Sequence, residues 1–92
     1  MHKLRQKGNE HMGQIIEALK NIKGEYVDVY IEHKLFGNQH VKVKLEPEVE
    51  KGLGFRCKDQ VIYVKNNDII SCYVELDKII INGSVMSITI VK

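Results

Sequence analysis

The chain reads as a mainly β protein: an N-terminal α-helix followed by a five-stranded, strongly bent antiparallel small barrel. Three observations predict this. Apolar residues recur at helical spacing only between residues 9 and 23. Past Gly24 the apolar period drops to two and stays there. Turn-forming clusters then cut the remainder into about five short segments. A meander that short has one apolar face, and closing the sheet covers that face and removes most of its open edge.

Residues 1–8 read as a flexible basic tail carrying Lys3, Arg5 and Lys7, and residues 9–92 as one barrel domain. Met12 is a second candidate start, which would make residues 1–11 an upstream extension. The helix is expected from Asn9, a good N-cap, to Lys23. Its stripe is Met12, Ile15, Ile16, Leu19 and Ile22, and Gly24 is its natural C′ residue. In YVDVYIEHKL, Val27, Val29 and Ile31 face one way and Asp28, Tyr30 and Glu32 the other. Gly37-Asn38 is expected to turn the chain. Val41, Val43 and Leu45 then point inward, with Lys42 and Lys44 outward. Residues 46–54 hold the one Pro and two Gly and read as a bend or loop. Residues 61–76 read as a hairpin about the turn cluster Asn66–Asp68, with Ile62, Val64, Ile70, Cys72, Val74 and Leu76 inward. In IIINGSVMSITIVK, Asn82-Gly83 is the residue pair most favoured for a tight hairpin turn, and Met86, Ile88 and Ile90 point inward.

At 92 residues, 43% apolar and 28% charged, the composition is that of an ordinary globular domain. A chain this short buries roughly 60–65% of its unfolded surface, so a partner subunit would add useful stability. No apolar run approaches the ~18 residues of a membrane span, and the polar N-terminus has no secretory h-region. The expected compartment is the cytoplasm. The net charge of +2 is only weakly basic. Cys57 and Cys72 form no CxxC pair and read as unpaired thiols in or near the core.

The stretch LDKIIINGSVMSITI resembles the second motif of the Sm-like (LSm/Hfq-type) family, in which a strand ends in Ile-Arg-Gly and an alternating strand follows. IIEALKNIKGEYVDVYI is similar to that family's helix, glycine and first strand. The resemblance spans roughly residues 12–91. It implies a bent five-stranded barrel of Sm-like or SH3-like type, rings built by pairing the fourth and fifth strands between subunits, and RNA contacts from loops. Val85 and Val91 would then add apolar surface to that pairing edge. Two positions depart from the family pattern. The family's Arg is Asn82 here, and VKVKLEPEVEKGLGF lacks the Asp/Asn pair of the first motif.

Candidate nucleic-acid contacts are Asn82, Gly83, Ser84, Lys42, Lys44, Asn38 and His40. Asn82-Gly83-Ser84 offers backbone and amide contacts to a nucleotide, or is simply a turn. Lys42 and Lys44, with Arg56, Lys58 and Lys65, can form a basic face dotted by Tyr30, Tyr63 and Tyr73, the chemistry that holds single-stranded RNA. Ordinary solubility lysines and half-buried tyrosines make the same pattern. Glu46, Glu48 and Glu50 alternate but sit in the expected loop, and His33 with His40 is short of a zinc ligand set. No metal and no cofactor is expected. No catalytic motif stands out, so the chain reads as a non-enzyme. Two functions follow: an RNA-binding Sm-like homo-oligomer, or a structural or regulatory small barrel that mediates protein or self-association without nucleic acid.

Overall fold

The computed structural model describes residues 2–92, with side chains from Met12 onward. Helix α1 (His2–Asn21) is followed by β1 (Tyr26–His33), β2 (Gly37–Lys44), β3 (Pro47–Glu48), β4 (Gly52–Cys57), β5 (Gln60–Lys65), a 3-10 turn (Asn66–Asp68), β6 (Ile69–Val74), β7 (Lys78–Gly83) and β8 (Met86–Val91). The protein is mainly β with one N-terminal helix, and every strand pair is antiparallel. The eight strands pair as two sheets: β2-β1-β8-β7-β6 and β3-β4-β5. Neither sheet closes on itself by strand pairing, unlike the expected five-stranded barrel.

The helix stripe packs as its spacing predicts. Ile15, Leu19 and Ile22 are buried, with Met12 and Ile16 half-buried against them. The helix ends at Asn21, two residues before the expected Lys23, and a tighter turn carries the chain to Gly24 at φ +87°. It begins at His2, seven residues before the expected Asn9, which lies within the helix and is not its N-cap; the side chains of the expected basic tail lie outside the described residues. Helix and three-stranded sheet share one core with the inner face of the larger sheet, where Val27, Val29, Ile31, Ile79, Ile81, Ile88 and Ile90 are buried. The alternation of β1, β7 and β8 is thus a half-buried sheet's pattern, apolar in and polar out.

The C-terminal pair does curl round to the strand after the helix: β8 pairs with β1 from Asp28↔Val91 to His33↔Met86. This places β8 in the middle of the sheet, between β1 and β7, rather than at an edge. The outer strands are β2 and β6.

Two corners carry the chain between sheets. The first is the bend at Leu45, after which Pro47-Glu48 pairs with β4 along an outer strand, where a missing N–H costs no ladder bond. The second corrects the expected hairpin over 61–76: β5 and β6 do not pair, because the Asn66–Asp68 turn sends the chain into the other sheet. As a result only Cys72 of the expected inner set on β6 is buried. Ile70 is 70% exposed, Val74 46% and Leu76 98%.

Both expected turn pairs also shift. The first hairpin turns through residues 34–36, and Gly37 opens β2 with φ +82°, a conformation other side chains adopt only under strain. The last hairpin turns at Ser84-Val85, since Asn82 still pairs with Ser87. Gly83 does not need a left-handed φ. It is there for space: a Cβ would stand 2.5 Å from Val64 Cγ1 and 2.8 Å from the Met86 carbonyl oxygen.

Candidate nucleic-acid interface

The face of the five-stranded sheet turned away from the core carries three side-chain rows running across the strands. Registers place His40, Tyr30, Thr89, Ile80 and Tyr73 in one row. Asn38, Glu32, Ser87, Asn82 and Ser71 form the row on one side of it. Lys42, Asp28, Val91 and Lys78 form the row on the other, with Lys44 opposite Tyr26 beyond. At the usual strand spacing each five-strand row is about 19 Å long.

The central row is aromatic at both ends. The Tyr30 and His40 rings stack at 4.5 Å between centroids, 11° from parallel. His40 Nε2 donates to Asp28 Oδ1 at 3.0 Å, which fixes the ring's plane. At the far end Tyr73 is tied into the polar row: Asn82 Nδ2 donates to Ser71 Oγ at 3.1 Å, and the Ser71 hydroxyl lies 3.4 Å from the Tyr73 hydroxyl. Both tyrosines remain about half exposed. Flat rings held by neighbours and open to solvent are stacking platforms that lose little entropy when a base lands on them.

Five of the seven candidate residues, Asn38, His40, Lys42, Lys44 and Asn82, therefore share one face. Gly83 and Ser84 lie at its end. A cleft of about 380 Å³ opens there, lined by Glu32, His33, Lys34, Asn38, Gly83 and Val85, among others. It joins the two hairpin ends, which are also linked by the Lys34 amide donating to the Val85 carbonyl at 3.0 Å. Arg56, Lys58, Lys65 and Tyr63 fall instead on the three-stranded sheet or its turn, so the wider basic face divides in two.

The histidines serve separate tasks. His33 Nδ1 accepts from the Leu35 and Phe36 amides at 3.0 and 3.3 Å, which shapes the turn, and the Phe36 ring rests on it at 4.5 Å. Sequence reasoning missed Phe36 and Leu35 as surface groups, although adjacent apolar residues directly before a turn glycine are a usable signal. Cys57 and Cys72 are unpaired, and burial pushes the Cys72 thiol above its usual value of 9.0. Among the described residues no group of three or more His, Cys, Asp or Glu is placed to hold a metal ion, and no helix is long and apolar enough to cross a membrane.

No known family model, no curated protein and no solved structure matches the chain.

Proposed function

We propose that this chain is a non-catalytic RNA-binding module of Sm-like character that works as a homo-oligomer and holds single-stranded RNA on the outer face of its five-stranded sheet. The observation that carries this reading is the solvent-open row with the Tyr30–His40 stack at one end and Tyr73 at the other. Bases stack on these rings, Lys42, Lys44 and Lys78 meet phosphates, and the polar row meets base edges. Asp28 sits in the row of Lys42 and Lys78, and Glu32 in the polar row across from it; both weaken the field, so stacking supplies more of the affinity than charge does. The likeness of LDKIIINGSVMSITI to the Sm-like second motif supports the class, with the contact surface moved from loops to the sheet.

The test is binding of short oligo-U and oligo-A at two salt concentrations. With about three phosphate contacts, log K should fall with log salt at a slope near −2. Tyr30→Ala should weaken both oligonucleotides by about tenfold, within the usual range for losing one stacked base. An absence of binding at low salt removes the RNA reading.

A second reading has its own observation. Ile70, Val74 and Leu76 are exposed on or beside the outer strand β6, whose sequence IISCYV has no charge to discourage pairing. A small barrel that associates with protein or with itself would use that strand. Light scattering at high protein concentration, read beside the oligonucleotide titration, separates the two. A dimer or ring that binds no RNA favours the second reading, and a strict monomer removes the oligomer from both.

A further inference from the structure

The cleft between the two hairpin ends is built differently from the stacking row beside it. Glu32 on β1 stands directly opposite Asn38 on β2 and, on its other side, opposite Ser87 on β8. All three line the cleft. Among the described residues no hydrogen bond or ion pair engages the side chain of Glu32 or of Asn38. Gly83 and His33 also line the cleft, and the His33 ring carries the Phe36 ring, itself 76% exposed.

We propose that this cleft receives one unstacked base of the bound strand and selects bases that carry an exocyclic amino group. The inference rests on the single-stranded RNA reading above. A carboxylate only accepts hydrogen bonds. Glu32 therefore accepts from the amino group of cytosine, adenine or guanine and is repelled by the carbonyl that uracil presents in the corresponding place. Carboxylates pair with the cytosine amino group, and amide side chains with the adenine edge, for this same reason. Asn38, opposite, offers both a donor and an acceptor to the rest of the edge. Lys34, which also lines the cleft, meets the adjoining phosphate.

Purines stack better than pyrimidines on any ring, so the decisive comparison is between two pyrimidines. Oligo-C and oligo-U of six nucleotides are titrated against the full chain, against Glu32→Gln and, as a second variant, against Asn38→Ala. Tyr30→Ala is the control for the stacking row. The wild type is expected to prefer oligo-C by about tenfold. Glu32→Gln, whose amide can satisfy either base, brings the ratio close to one. Removing a negative charge also raises affinity for any RNA, but the C-to-U ratio is insensitive to that uniform gain. Asn38→Ala narrows the ratio in the same direction, and Tyr30→Ala weakens both ligands while leaving the ratio intact. Equal binding of oligo-C and oligo-U by the wild type, or an unchanged ratio in Glu32→Gln, overturns the base-selective cleft and leaves the sheet-face reading standing. Absence of any binding at low salt overturns the reading beneath it instead.

Discussion

Asn82 and Gly83 are neighbours with different tasks. Asn82 sends its amide across to Ser71 from a half-buried position on the outer face, so Asn82→Ala loses that bond while the Ser71 hydroxyl keeps its contact with Tyr73. The expected cost is about 1 kcal/mol, read as a fall in Tm of about 4–8 °C for a domain this size. Gly83→Ala drives a methyl group against Val64 and the Met86 carbonyl and should cost about 1–3 kcal/mol as an overpacked site. Ser84→Ala, in the exposed turn, should stay within about 0.5 kcal/mol. Thermal melts of the three variants check this order. If Gly83 were only a turn residue, Gly83→Ala would be no worse than Ser84→Ala. Cys72 titrates in a predictable direction. Burial favours the neutral thiol in the folded state, so the unfolded chain ionises first as pH rises. Stability from this group is complete below pH 9.0 and is lost as pH climbs through the raised folded value. Below that pH a thiol reagent should label half-buried Cys57 well before Cys72.

At the level of single elements, β6 shows what the sequence can and cannot convey. Helix stripe, β1, β7 and β8 were legible because each has one buried face, and burial is what creates a period. The alternation of Ile70, Cys72, Val74 and Leu76 has the same form, yet three of these four side chains meet solvent. What changed is the partner. Asn66-Asn67-Asp68 has the composition of a hairpin turn and equally that of a corner, and only the corner leaves β6 outermost. Composition does not distinguish the two, because the choice depends on whether β5 or β7 offers the better apolar neighbour. The outer-face site was legible in part for a related reason. Period-2 spacing put Lys42 and Lys44 on one side of a strand, but that His40 joins them, and which strands lie beside them, was a matter of strand bounds and topology. Since Ile70 packs against little, Ile70→Lys should change stability by no more than about 0.5 kcal/mol while suppressing self-association at high concentration, the usual effect of a lysine on an open strand. A variant that melts far lower would mean that Ile70 is covered.

For the molecule as a whole, the helix and the small sheet cover one side of the five-stranded sheet and leave the other to solvent. On the proposed RNA reading, stability falls to the covered face and recognition to the open one, so Tyr30→Ala and Glu32→Gln should alter binding with little change in Tm. The placing of β8 carries a different consequence. Flanked on both sides by β1 and β7, it is the strand without which neither has its full set of partners, and it is also the last of the eight to leave the ribosome. The sheet therefore cannot be completed before residues 86–91 have emerged; the earlier strands must wait, exposed, for them to arrive. A chain stopped after Val85 should show no cooperative melt by circular dichroism, and in the cell it should be a target for chaperones and proteases rather than a shortened working protein.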